Sequence, residues 1–318
     1  MKRIVFLDRG TFSAGIRFAH RSIADSDWQE YPSTRPQEVA ERLRAAEVVI
    51  TNKVRLPTAV LAESTVLKLI AAAATGVDHI DIEAARRQGI AVCNVRDYAV
   101  HSVPEHVFAL LLALKRNLPS LHAAACDGRW SASDSFTLQT YAIEDLTGNT
   151  LGIIGGGTLG QAVARLGQAF GMRVVLAEQR GAAALRPGRT AFEQVLSESD
   201  VLSLHVPLTP ATRHLIGAAE FSRMKPGAIL INTARGGVVD EAALLRALRS
   251  GHLAGAGIDV LAQEPPAADH PLLTANLPNL IITPHVAWAS RQAQQKLADD
   301  IIANIAAFYR GEARNRVA

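Results

Sequence analysis

Three side chains stand where they could perform chemistry together: Arg235, Glu264 and His285. Each comes just past an apolar run of strand character, Arg235 after ILINTA, Glu264 shortly after GIDV and His285 after IITP. In a parallel sheet the strand ends converge on one crevice. An arginine fork binds a carboxylate through two parallel hydrogen bonds and can polarise an adjacent carbonyl. A histidine titrates near neutral pH, and a carboxylate beside it orients the ring and favours its protonated form. The set therefore suits hydride transfer to a 2-oxo acid. Arg235 would fix the substrate carboxylate, His285 would donate a proton to the carbonyl oxygen, and Glu264 would hold His285 charged. Taken singly, each residue also has an ordinary reading, the arginine as a surface charge and the histidine as a loop residue after a proline.

Such a triad needs a bound hydride source, and LGIIGGGTLG, residues 151 to 160, is the stretch able to hold one. An apolar run ends in glycines and passes into an Ala/Leu-rich helical pattern. Gly155, Gly157 and Gly160 have the spacing of a pyrophosphate-binding turn: the first permits the turn, the second lets phosphates approach bare backbone, and the third lets the helix pack on the strand. Unpaired N–H groups at the helix start then face the anion. The helix QAVARLGQAF ends at Gly171, and a second strand, MRVVLAE, closes on Glu178. A carboxylate there can accept both ribose hydroxyls of NAD, or it is a solvated strand-end charge. His205 and Pro207 end the third strand at the same sheet edge, where His205 either floors the adenine pocket or is a polar strand end.

The rest of the chain must position these groups. Residues 1 to 100 alternate apolar runs (IVFLD, EVVITN, LKLIAAAA, IAVCNV) with helical patterns (EVAERLRAA, DIEAARRQG), as expected of a parallel sheet with crossover helices. Within it, the turn at Thr75, Gly76 and Val77 follows a strand and turns its amides outward; on spacing alone it is an ordinary strand-to-helix turn. HSVPEHVFALLLALKRNL, residues 101 to 118, reads as a long helix with Ser102 and Glu105 as its capping box and Pro104 in the first turn. Its apolar breadth predicts packing between two domains or against a second subunit. Residues 151 to 285 alternate six strands with helices, as a doubly wound dinucleotide domain does. The final helix, SRQAQQKLADDIIANIAAFYRG, is expected to return to the first domain. The expected division is 1–100, 101–286 and 287–318.

Composition excludes several classes. The 318 residues carry 33 basic against 30 acidic side chains, a formal charge of +3 without any basic tract, which gives no argument for nucleic acid. Cys93 and Cys126 are too few and too isolated for a disulfide scaffold or a metal site, and a reducing compartment is the simpler reading. The longest apolar helical stretch, VFALLLALK, is about half of what a membrane span requires. MKRIVFLD suits a first strand and lacks a signal-peptide pattern. A soluble cytoplasmic protein is expected.

The segments ATGVDHID, GIIGGGTLG, INTARGGVVDE, IDVLAQEP and TPHVAW, in this order, closely resemble the D-isomer-specific 2-hydroxyacid dehydrogenases, along essentially the whole chain. Within that family VCNVRDYAVHSVPEHVFALLLALKRNL looks most like the glycerate dehydrogenases, also called hydroxypyruvate reductases. The resemblance implies an α/β fold of two Rossmann-like domains: a doubly wound NAD-binding domain inserted into a flavodoxin-like substrate-binding domain, with a cleft active site and a homodimer built largely through the nucleotide domains. It places the catalytic roles on Arg235, Glu264 and His285. Substrate contacts fall on Thr75, Gly76, Val77, Arg235, His285 and Trp288. Cofactor contacts fall on Thr75, Val103, the run Gly155, Gly156, Gly157, Thr158, Leu159 and Gly160, then Glu178, His205, Pro207, Thr212, Thr233, Ala234, Arg235, Asp259 and His285. Asp259 resembles the carboxylate that binds the nicotinamide amide.

Two departures from the family pattern stand out. Its NAD-selecting position is commonly aspartate, here the longer Glu178, followed by Gln179 and Arg180. Glutamate still repels a 2′-phosphate, so NAD is expected, with Arg180 keeping NADP open. Gly156 stands where the family often has a bulkier residue, an exchange expected to loosen the turn and weaken cofactor binding slightly. The expected reaction is reduction of hydroxypyruvate and glyoxylate to D-glycerate and glycolate, and its reverse. Two alternatives stay open. One is another substrate of the same family, D-lactate, phosphoglycerate or a larger 2-oxo acid, with phosphoglycerate disfavoured by the lack of a basic cluster near ATGVDHID. The other is an NAD-sensing corepressor-like binding protein, against which stands the complete triad.

Overall fold

The computed structural model describes residues 1–318. In chain order the elements are β1 (Lys2–Phe6), β2 (Ser26–Glu30), α1 (Val39–Leu43), β3 (Val48–Thr51), α2 (Thr58–Ala62), β4 (Leu69–Ala72), α3 (Ile82–Arg87), β5 (Ala91–Cys93), α4 (Ser102–Lys115) and α5 (Leu118–Cys126). Then follow β6 (Thr150–Ile154), α6 (Thr158–Ala169), β7 (Arg173–Leu176), α7 (Phe192–Glu198), β8 (Val201–Leu204), α8 (Ala218–Arg223) and β9 (Ala228–Asn232). The chain closes with α9 (Glu241–Arg249), β10 (Leu253–Ile258), α10 (Pro271–Thr274), β11 (Leu280–Ile282) and α11 (Arg291–Tyr309). Two compact units result: Met1–Ala99 with Ala289–Ala318, and Val100–Trp288.

The first unit is a five-stranded parallel sheet in the order β2-β1-β3-β4-β5, the doubly wound order of flavodoxin-like folds. Strands β3 and β4 are buried throughout, as parallel strands covered on both faces must be. Val49, Ile70, Leu43, Leu56 and Leu61 anchor the core. The edge strand β2, SDWQE, was not foreseeable from apolar periodicity: it is polar and only half-buried, and its pairing with β1 holds it in place. Helix α11 is capped by Ser290, whose hydroxyl accepts from the Ala293 amide at 3.2 Å. It packs on β4, and the tail beyond it returns along β5, where Val317 N donates to Val92 O at 2.8 Å.

The second unit is a six-stranded parallel sheet, β11-β10-β9-β8-β6-β7. Strand order reverses between β6 and β8, and the crevice at such a switch point is where doubly wound sheets bind ligands. Strands β8 and β9 are buried along their whole length. Leu202, Leu204 and Leu230 from these strands pack with Phe192, Phe221 and Leu244 from the covering helices.

Helix α4 is the first helix of this unit. The helix lies on its own unit's sheet, packing against α6, β9 and β10, and this buries Val107, Phe108, Leu110 and Leu111. Its apolar side chains thus meet a sheet on one side and a helix on another. Ser102, expected as the cap, does not cap it: the cap position is His101, without a side-chain cap bond, and the buried Ser102 hydroxyl donates to Ala287 O at 2.6 Å. That bond ties the start of α4 to the segment just after His285.

Candidate active site

The glycine turn lies at the switch point, directly after β6. Gly155 has φ +101°, a conformation an L-residue rarely adopts, and His205 N reaches across to Ile154 O at 2.7 Å. A Cβ on Gly160 would stand 2.0 Å from Gly155 O, so only glycine lets α6 approach the turn. Gly157 occupies the cap position of the 12-residue α6 with no side-chain cap, and a Cβ there would meet only open space. The first amides of the helix thus have no capping side chain, and the glycine turn just before them borders a cavity of about 590 Å³. Gly155, Gly156 and Gly157 line that cavity with Glu178, Pro207 and Thr212. A concave, positively polarised site of this size fits a dinucleotide, with the pyrophosphate on the helix start.

Other expected contacts are arranged less simply. The His205 ring is bonded to Ser203 Oγ at 2.8 Å, and burial lowers its pKa to about 4, so it is neutral in the fold. Val206 and Pro207, next in sequence, line the cavity instead. Thr212 Oγ1 donates to Pro207 O at 2.6 Å and so closes the loop around the pocket. Glu178 is 4% exposed, and its carboxylate accepts from Arg186 Nε at 2.7 Å and Gln179 N at 2.7 Å. These bonds, that with Arg186 foremost, hold its pKa down to about 2. Arg180, the cation singled out from sequence, pairs with Glu220 at 2.8 Å. Arg186 and Arg189 also line the cavity, and sequence reasoning passed over them. The signal was there in the RPGR turn a few residues beyond the strand-end carboxylate.

At the other end of the same sheet, Asn232, Ile258 and Ile282 stand in register across β9, β10 and β11. The three candidate catalytic residues follow these strand ends. Asn232 shapes the first turn, its Oδ1 accepting from Ala234 N and its Nδ2 donating to Arg235 O, both at 3.0 Å. Arg235 Nη1 donates to Ala234 O at 2.8 Å. A Cβ on Gly236 would fall 1.9 Å from the Leu261 carbonyl carbon, so glycine alone lets this turn press against the loop that bears Glu264. Glu264 Oε1 accepts from Leu261 N at 2.9 Å, which pins the carboxylate and leaves Oε2 for His285 Nδ1 at 2.6 Å. With Nδ1–H donating to the carboxylate, Nε2 is the nitrogen free to carry the exchangeable proton.

His285 itself is held in a left-handed backbone conformation, φ +54°, which costs a non-glycine residue of order 1–3 kcal/mol. Asp259 supplies the restraint. Its carbonyl accepts from His285 N at 2.8 Å, and its buried carboxylate accepts from Val286 N and Ala287 N, both at 2.9 Å, and from the Thr283 hydroxyl. His106 Nε2 adds a bond to Thr283 Oγ1 at 2.9 Å. Trp288 is placed by its indole N–H, which donates to His285 O at 3.0 Å. Thr233 Oγ1 is buried with no hydrogen-bond partner, as expected of a hydroxyl kept for a bound molecule. Val103 is buried in the first turn of α4.

The first unit carries the remaining candidates. Thr75 follows β4, with its hydroxyl donating to Val95 O at 2.7 Å and its carbonyl accepting from Asn94 Nδ2 at 2.8 Å. Gly76 and Val77 continue the turn half-exposed, and Ile80 N closes it on Val77 O at 3.0 Å.

Comparison with known proteins agrees with this geometry. Residues 108–287 match the family described as D-isomer specific 2-hydroxyacid dehydrogenase, NAD binding domain. A glycerate dehydrogenase of Methylorubrum extorquens (strain AM1) is 48% identical over 320 residues, covering 99% of each chain. A glyoxylate reductase of Thermococcus litoralis is 36% identical over 319 residues, 98% of this chain and 95% of that one. The crystal structure of D-lactate dehydrogenase from Aquifex aeolicus, complexed with NAD and lactic acid, superposes with a TM-score of 0.84 at 32% identity, covering 97% of this chain and 96% of that one. The glycine turn, the parallel sheet and these full-length likenesses make the chain a member of the D-isomer specific 2-hydroxyacid dehydrogenases, an NAD-dependent oxidoreductase acting on a small 2-hydroxy or 2-oxo acid.

Proposed function

We propose that the enzyme reduces hydroxypyruvate, and glyoxylate beside it, to D-glycerate and glycolate, and catalyses the reverse oxidation. The observation that carries this reading is the 2.6 Å bond between His285 and a Glu264 already pinned by its own loop, next to the Arg235 turn. The likeness to a glycerate dehydrogenase over 99% of both chains supports the substrate. The bound nicotinamide supplies or receives the hydride. Arg235 fixes the substrate carboxylate as a fork. His285 gives its Nε2 proton to the carbonyl oxygen as the alkoxide forms, while Glu264 stabilises the imidazolium that precedes transfer. Trp288 limits the size of the substrate's side chain. Gly155 to Gly160, with Thr158 and Leu159 at the helix start, hold the pyrophosphate, and Thr233, Ala234 and Asp259 serve the nicotinamide end.

A homodimer in the cytoplasm completes the proposal. Its support is the segment after α4, where Leu118, Trp130, Phe136 and Ile143 expose large apolar side chains, Phe136 by 91%. Sedimentation of the purified protein tests it, and a monomer at micromolar concentration would refute it. The substrate is tested by following NADH oxidation with hydroxypyruvate, glyoxylate, pyruvate and a bulkier 2-oxo acid. The expected result is highest kcat/KM on hydroxypyruvate. Preference for pyruvate or the bulkier acid would keep the chemistry and overturn the substrate, and intact NADH binding without turnover on any acid would point to a sensor.

A further inference from the structure

The loop between β7 and α7, residues 177–191, brings three arginines to the ribose end of the cavity: Arg180, Arg186 and Arg189. Only two carboxylates stand against them, Glu178 and Glu220. Arg180 is committed to Glu220, whose other oxygen accepts from Gly217 N at 3.0 Å at the start of α8. Arg189 pairs with no carboxylate. Its Nη1 lies 3.5 Å from Ala177 O, and its guanidinium rests on the bare backbone of Gly156, where a Cβ would come within 2.1 Å of Nη1 and 2.6 Å of Cζ. The glycine expected to loosen the turn thus has another effect: it seats a cation on the anion-binding loop.

Glu178 is occupied to capacity. Oε1 accepts from Gln179 N and Arg186 Nη2, and Oε2 accepts from Arg186 N at 3.1 Å and Arg186 Nε at 2.7 Å. A carboxylate has about four lone-pair sites, and all four are taken. A free ribose diol can reach Glu178 only by displacing the Arg186 side chain. A 2′-phosphate, by contrast, brings close to two negative charges to a site with an excess cation, and Arg189 can meet it while Arg186 stays on Glu178.

We propose that Arg186 is the specificity-determining residue for the dinucleotide: latched on Glu178 it masks the carboxylate that would repel a 2′-phosphate, and with Arg189 on Gly156 it lets the enzyme bind NADPH as well as NADH. The proposal rests on dinucleotide binding in this cavity and not on the identity of the 2-oxo acid.

The experiment is a titration of the purified protein with NADH and with NADPH, read by nicotinamide fluorescence without any 2-oxo acid present. The unmodified protein should bind both. Arg186→Gln exposes Glu178, so it should tighten NADH, weaken NADPH and shift the ratio of the two Kd values toward NADH by about tenfold or more, the scale of one charge-assisted hydrogen bond. Arg189→Gln should weaken NADPH more than NADH. Arg186→Lys, which keeps the charge on the exposed loop, should stay within a few-fold of the unmodified ratio and shows that any loss in the glutamine variant is not misfolding. A ratio unchanged within twofold in Arg186→Gln overturns the assignment of Arg186, and so does an unmodified protein that binds NADH but not NADPH. Failure to bind either dinucleotide would instead overturn the reading of the cavity.

Discussion

The two ends of the nucleotide-binding unit's sheet each hold a carboxylate bonded to a nitrogen base at under 3 Å, and the two pairs do different things. Beyond β10 and β11, Glu264 meets His285, an imidazole whose second nitrogen can give up a proton. Beyond β7, Glu178 meets Arg186, a base that never releases its proton, so that pair can only open or stay shut. Distance alone does not separate a proton donor from a lock; the partner's chemistry does. The surroundings agree. Asp259 and Leu261 fix the histidine pair from several directions, whereas on the other side Glu178 is buried and its partner Arg186 sits on an exposed turn.

Breaking the first pair should have the largest effect. Replacing His285 by alanine removes the proton donor and should lower kcat by about 10²- to 10⁴-fold, with the Kd of NADH within a few-fold of normal. A variant with ordinary kcat would remove His285 from the chemistry. Arg235→Ala loses a charge-assisted hydrogen bond to the substrate and should lower kcat/KM by about 10- to 100-fold through both parameters; unchanged steady-state kinetics would place Arg235 outside the site.

The glycine turn sharpens the contrast between building the pocket and filling it. Gly160→Ala drives a Cβ to 2.0 Å from Gly155 O and should lower both thermal stability and NADH affinity. Gly157→Ala meets only open space, so its melting temperature should stay close to normal while NADH affinity falls through crowding of the phosphates. Equal melting temperatures for the two variants would contradict this reading of the turn.

The smallest effect belongs to His205. Its folded pKa, about 4, lies below the ordinary value of 6.5, so between these pH values the unfolded chain binds a proton that the fold excludes. Its contribution to stability is complete above pH 6.5 and is lost as pH falls toward 4. Melting temperatures measured across that window should fall less steeply in His205→Gln than in the unmodified protein, and identical slopes would refute the burial argument.

Legibility in the sequence followed periodicity and strand ends. Strands β3, β4, β6, β8 and β9 are short apolar runs, buried because parallel strands are covered on both faces, and such runs show directly in the residue order. Arg235 and His285 were visible because each is a polar residue immediately beyond such a run. What escaped was anything whose place is set by a partner distant in sequence. Strand β2 is polar and depends on β1 for its existence. Ser102 has the residue type of a helix cap, yet a carbonyl 185 residues away takes its hydroxyl. Arg186 and Arg189 lie in a loop without period, and only the folded turn shows that one meets Glu178 and the other rests on Gly156.

The position of β11 has a consequence for heat and time. This strand of three residues is the sheet's edge, half-buried and paired on one side only, with β10. Local opening starts where few apolar contacts hold an element, so this strand should exchange its amide protons sooner than β8 or β9 in the sheet's interior. His285 hangs three residues beyond it. Warming should therefore silence turnover before the interior strands let go, and the enzyme's working ceiling is set by its shortest edge rather than by its core.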